Sequence, residues 1–204
     1  MKRSMLAKVA LPLVVALATA LGGTALAQSG KGIKMIPGGD LKIIDPIQNA
    51  SYISRNHGYM IYDTLFSVDS KGQVKPQMVE SYTLSPDKKT YTFTLRQGLK
   101  WHDGAPVTAA DCVASIRRWG AKDVSGTLVM RELASLDVVN DRTFRLTLKA
   151  PFGLVIDALG KPSSNVPFMM PERIAKTDPN QQITDATGSG PFIFKKDEWK
   201  PGEK

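Results

Sequence analysis

Residues 90–119 constrain the fold of this chain more tightly than any other stretch. Tyr91, Phe93 and Leu95 alternate with Thr90, Thr92, Thr94 and Arg96, so an extended strand there carries one apolar and one polar face. Asp103-Gly104 interrupts the alternation with a turn signal. Thr108 then stands at an N-cap position with Asp111 three residues on, the spacing of a capping box. Ala109, Cys112, Val113, Ile116 and Trp119 recur at helical spacing, and Gly120 supplies a stop. A strand, a turn and a capped helix that share an apolar interface predict a mixed α/β unit.

The flanking sequence extends that pattern. Short extended runs are predicted at 32–36 and 41–44, a helix over 56–62, and a strand over 64–68 that the turn Asp69-Ser70-Lys71-Gly72 closes. Val138–Val139 and residues 143–149 flank Asn140-Asp141-Arg142 as a hairpin, with Phe144, Leu146 and Leu148 inward. A short helix is expected over 153–159. Pro171 suits the first turn of another at 172–176, which Pro179 keeps from continuing, and a last strand is expected at 192–195. No internal repeat interrupts this order.

The N-terminus reads separately. Lys2, Arg3 and Lys8 precede an apolar run from Val9 to Leu21, and Ala25-Leu26-Ala27 fits the small-x-small cleavage rule. This predicts a secretory signal peptide removed after Ala27, because the run is too short to span about 30 Å of hydrocarbon. The single cysteine, Cys112, has no disulfide partner within the chain and falls on the apolar helix face, where it reads as a small core residue.

Of the 27 basic residues, three belong to that leader, and the other 24 exceed the 19 acidic ones by five, spread along the chain without a long run. A nucleic-acid protein would concentrate its charge in a patch with interleaved aromatics, so no nucleic-acid partner is expected. The pairs Lys88-Lys89, Arg117-Arg118 and Lys195-Lys196 read as solvated surface.

Catalytic patterns are missing. His57 and His102 are the only histidines and show no metal-ligand spacing, so neither a metal site nor a cofactor is expected. Gly188-Ser189-Gly190-Pro191 matches neither a phosphate loop nor a nucleophile elbow, and Pro191 lacks the backbone donor that an anion cradle needs. A secreted hydrolase would require a nucleophile, a base and an orienting acid, and no such set stands out.

The wording of the central stretch, Leu95-Arg96-x-Gly-Leu-Lys-Trp-His-Asp-Gly-x-Pro-Val-Thr-Ala-x-Asp, resembles the signature of family 5 extracellular solute-binding proteins, the peptide- and nickel-type receptors of bacterial ABC importers. Further segments are similar to family elements in the same order: Ile44-Asp45-Pro46, Tyr62-Asp63-Thr64-Leu65-Phe66, Pro76-Gln77-Met78-Val79-Glu80-Ser81-Tyr82 and Gly188-Ser189-Gly190-Pro191-Phe192.

The resemblance implies an α/β, periplasmic-binding-protein-like two-lobe fold, of which this chain would supply the first lobe and its inserted subdomain. On that basis 1–27 is the leader, 28–64 begins the first lobe, 65–160 is an inserted α/β subdomain and 161–204 returns to the first lobe; the second lobe is expected beyond Lys204. The implied function is capture of an oligopeptide or similar small solute in the periplasm and delivery to the ABC permease subunits, without catalysis. A periplasmic sensor or accessory binding protein on the same fold is the alternative.

By the same resemblance, Tyr52 and Ile53 stand on the loop that lines the cleft in relatives. Tyr52 either offers its ring and hydroxyl to a ligand or is a surface or hinge tyrosine. Ser163, Ser164 and Asn165 lie near the crossing between subdomains. Gly188, Ser189 and Gly190 either border the pocket or form a tight turn at the hinge.

Overall fold

The computed structural model describes residues 35–201. The leader, its cleavage point after Ala27 and most of the run expected at 32–36 lie outside the described residues; Met35 and Ile36 are not in a strand.

Helix α1 (Tyr52–Ile61) comes first, followed by a two-stranded antiparallel sheet of β1 (Phe66–Val68) and β2 (Val74–Pro76). Strands β3 (Val79–Leu84) and β4 (Thr90–Leu95) lead into helices α2 (Ala109–Gly120) and α3 (Val124–Glu132). Strands β5 (Leu133–Asn140) and β6 (Thr143–Leu148) then form a hairpin, and the short helices α4 (Val155–Leu159) and α5 (Glu172–Ala175) follow. The larger sheet is antiparallel throughout, in the order β3-β4-β6-β5. The result is the expected mixture of helix and sheet.

Alternation does what it should in the two central strands. Tyr91, Phe93 and Leu95 on β4 are buried, as are Phe144, Leu146 and Leu148 on β6. Phe93 sits opposite Phe144 in register and their rings stack at 4.9 Å, while Phe66 from β1 meets Phe93 edge-on at 6.0 Å. Helix α2 packs against β5, β6, α3 and α5, burying Ala109, Cys112, Ile116 and Trp119. Burial pushes the Cys112 thiol up, with the Asp111 carboxylate adding to the effect, so it is an inert core group.

The capping box at Thr108 forms with both of its arms. Asp111 does more than cap. It also accepts from Trp101 Nε1 at 3.2 Å and from the backbone N–H of Glu172 at 2.6 Å, tying the turn and α5 to the start of α2.

Four expectations need correction. Residues 192–195 are not a strand. Phe192 N–H donates to Met60 O at the end of α1, and no strand among the described residues pairs with the segment. Phe192, Ile193 and Phe194 favour extended backbone, but a short apolar run does not supply a partner strand. Arg118 is not solvated surface: it is 2% exposed and pairs with the fully buried Asp45. Helix α1 starts at Tyr52, not at residue 56, because Ser51 caps it by accepting from Ser54 N–H, so Tyr52 and Ile53 are its first turn and not part of a loop. The strand expected over 64–68 begins only at Phe66, since Thr64 instead bridges to Phe168.

Candidate ligand-binding site

The register of α1 decides which of its side chains face solvent. Ser54, His57, Gly58 and Ile61 are buried, and a Cβ on Gly58 would lie 2.8 Å from Pro46 and would strike the Phe168 ring. Ser54 Oγ donates to Ile43 O at 2.7 Å, anchoring the N-terminal turn. The opposite face therefore presents Tyr52, Arg55, Asn56 and Tyr59, which follow one another at three- and four-residue spacing. Tyr52 is 71% exposed.

Segment 160–164 runs beside that face. Arg55 Nη1 donates to Ser163 Oγ at 3.2 Å, and Tyr59 Oη donates to the Pro162 carbonyl at 3.0 Å. The Arg55 guanidinium lies over the Tyr52 ring, 4.6 Å from its centroid, in a cation–π contact. Ser164 adopts φ 62°, a left-handed turn conformation uncommon for serine, and remains exposed. Between this segment, α1 and β1 lies a cavity of about 500 Å³. Arg55, Asn56, Tyr59, Thr64, Ser67 and Ser163 line its polar side, and Phe66, Val68 and Pro162 its apolar side. Burial raises the Tyr59 phenol above its ordinary pKa, partly offset by the Arg55 charge, so at neutral pH its hydroxyl is a donor.

The other sequence-expected residues are placed elsewhere. Ile53 is half-buried next to Gly39, where a Cβ would lie 2.9 Å from the Ile53 Cδ1. Asn165 is 8% exposed and structurally committed. Its Nδ2 donates to Ile47 O at 2.7 Å and its carbonyl accepts from Trp119 Nε1 at 2.7 Å.

Gly188, Ser189 and Gly190 pack at the C-terminal end of α1, the end remote from Tyr52. Gly190 N–H donates to Ile61 O at 2.8 Å. His102 holds this turn from the other side. Its backbone N–H donates to Gly188 O at 2.8 Å, its Nδ1 accepts from Gly188 N–H at 3.3 Å, and its Nε2 is 2.8 Å from Gly190 O. Only the tautomer with hydrogen on Nε2 satisfies both ring contacts. Ser189 Oγ is buried without a partner among the described residues.

Thus the structure places Ser163 in the wall of the cavity and Tyr52 beside it, under the Arg55 guanidinium, and leaves Ile53, Ser164, Asn165 and the 188–190 turn outside its lining. Arg55, Asn56 and Tyr59 escaped the sequence reading. The signal was present in Asn49-Ala50-Ser51, a helix-start pattern that puts these residues on Tyr52's face of α1.

Residues 73–204 match the family model of bacterial extracellular solute-binding proteins, family 5 middle region. A probable peptide ABC transporter periplasmic-binding protein of Sinorhizobium fredii is 48% identical over 163 residues, covering 80% of this chain and 30% of that protein. The glutathione-binding protein GsiB of Salmonella typhi is 33% identical over 140 residues, covering 68% of this chain and 27% of that protein. Among solved structures, the binding protein AgaA of A. tumefaciens in complex with agropinic acid is 31% identical with a TM-score of 0.61, over 78% of this chain and 32% of AgaA. The oligopeptide-binding protein AppA of Bacillus subtilis shares the fold at a TM-score of 0.65 and 23% identity, over 80% of this chain and 33% of AppA. The chain spans about 30% of the length of these relatives. It belongs to the bacterial extracellular solute-binding proteins of family 5.

Proposed function

We propose that this chain supplies part of the solute-binding site of a periplasmic receptor that captures an oligopeptide or similar small solute and passes it to the membrane permease of an ABC importer. The observation that carries this reading is the cavity between α1 and segment 160–164, where Arg55, Asn56, Tyr59 and Ser163 face Phe66, Val68 and Pro162 across a space with one polar and one apolar side. A concave site with a few convergent polar groups suits a small organic ligand. Relatives whose names specify a peptide, glutathione and agropinic acid support the same class of ligand.

In this reading residues 28–64 and 161–204 belong to one lobe and 65–160 to an inserted subdomain, with the cavity at their junction. Closure of a second lobe over the solute would be stabilised by contacts made to both lobes at once. Export through a signal peptide cleaved after Ala27 belongs to the same proposal. Ser163 then acts on the solute through its side chain and Tyr52 through the guanidinium of Arg55, whereas Ile53, Ser164, Asn165 and the Gly188–Ser189–Gly190 turn serve only the frame around the cavity.

Calorimetry of the chain with a mixture of tri- to pentapeptides tests the site, comparing the wild type with Ser163→Trp, which fills the cavity, and Gly153→Ala, which lies in open space. The expected outcome is loss of heat with Ser163→Trp alone. Equal binding by all three would exclude the cavity.

A further inference from the structure

We propose that Arg55 makes this cavity selective for solutes that carry a carboxylate. The inference rests on the reading of the cavity as a solute site. Arg55 is the one formally charged residue lining the cavity, and it forms no ion pair among the described residues. A guanidinium that lines a concave, half-enclosed space without a counter-ion creates a positive potential there, which attracts an anionic ligand.

The details of its hydrogen bonding favour a planar anion. Nη1 is engaged with Ser163 Oγ, whereas Nη2 makes only a 3.4 Å contact with Asn56 Oδ1. Nε is buried and has no partner among the described residues. A buried N–H left without an acceptor is costly, and Nε and Nη2 share the edge of the fork that matches the two oxygens of a carboxylate. Tyr52 covers the guanidinium from its face, 4.6 Å from Cζ to the ring centroid. Tyr59 Oη and Ser163 Oγ are further polar groups on the same wall.

The test uses the 204-residue chain and three probes: Ala-Ala-Ala with a free carboxyl terminus, the same peptide as its C-terminal amide, and Ala-Glu-Ala amide. Binding is measured by ligand-observed NMR for the wild type, Arg55→Gln, Arg55→Lys and Ser163→Trp, with near-ultraviolet circular dichroism confirming that each variant is folded. The free acid is expected to bind about tenfold or more tightly than the amide, the order of a charge-assisted contact at a partly wetted site. Arg55→Gln should remove that difference and Arg55→Lys should keep part of it. If Ala-Glu-Ala amide follows the acid, a side-chain carboxylate serves; if it follows the amide, the terminal one is required. Equal binding of all three probes by the wild type and Arg55→Gln, with Ser163→Trp abolishing it, would overturn carboxylate selection and leave the solute site standing. Absence of binding by the wild type, or binding untouched by Ser163→Trp, would overturn both.

Discussion

Arg118 closes on both carboxylate oxygens of Asp45, with Nη1 3.1 Å from Oδ1 and Nη2 2.7 Å from Oδ2, across 73 positions of sequence. Neither side chain reaches solvent. The pair is also embedded: Asp45 accepts from the N–H groups of Ile47, Gln48 and Ile183, and Arg118 donates to Thr177 O and Gln181 O. Removing one partner strands the other charge, so Arg118→Met should cost about 3–5 kcal/mol in urea melts. Combining it with Asp45→Asn should cost clearly less than the sum of the two single changes.

On the same helix, Ile116 is fully buried, whereas the neighbouring Arg117 is exposed and donates only to Leu136 O at 2.9 Å. Ile116→Ala should therefore lose about 2–5 kcal/mol and Arg117→Ala about 1 kcal/mol or less. Similar losses from both in denaturant melts would contradict the assigned helix face.

His57 gives the fold a defined acid sensitivity. Its ring is buried against Phe194 at 5.0 Å, Nε2 has no partner among the described residues, and burial lowers its pKa to about 4. The unfolded chain titrates near 6.5, so below that pH it binds a proton that the folded chain refuses. Stability should be full above about pH 6.5, fall as pH drops towards about 4, and lose at most about 3 kcal/mol from this residue. His57→Leu should flatten the pH dependence of the melting midpoint in that window.

Gly188 and Gly190 flank Ser189 for reasons of space. A Cβ on Gly188 would lie 2.7 Å from the Ile61 carbonyl carbon and 2.9 Å from Tyr62 Cδ1, whereas one on Gly153 meets nothing within 4 Å. Gly188→Ala should cost at least about 2 kcal/mol, or prevent folding, and Gly153→Ala should stay within about 0.5 kcal/mol. Thermal melts of the two variants side by side decide this.

Export is checked chemically. N-terminal sequencing of the protein recovered from periplasmic extract should begin at Gln28. An intact Met1 in the membrane fraction would contradict cleavage after Ala27.

Legibility in the sequence followed the range of the forces involved. Strand β4, the α2 cap and the β5–β6 hairpin are set by alternation and by contacts three residues apart, and these could be read directly. Helix α3 could not, because Gly126 interrupts its pattern. That glycine is needed where α3 touches α2, since a Cβ there would lie 2.8 Å from Gly120 Cα. The burial of Arg118 was hidden for a similar reason. Its neighbours are Asp45, Thr177 and Gln181, none of which local spacing relates to it. At the candidate site, placing the start of α1 four residues late concealed Arg55 and Tyr59, whose meaning depends on sharing a face with Tyr52.

Helix α1 is clamped at both ends by chain from elsewhere, through Ser54 to Ile43 at its start and through Gly190 and Phe192 to Ile61 and Met60 at its finish. All of these clamps act through the backbone or the buried face. Arg55, Asn56 and Tyr59, the α1 residues that line the cavity, stand on the other face and hold none of them. Exchanging Tyr52 or Arg55 therefore leaves every one of these clamps in place, whereas Tyr59, edge-on to the buried Phe168 at 5.0 Å, is tied to the core as well as to the cavity.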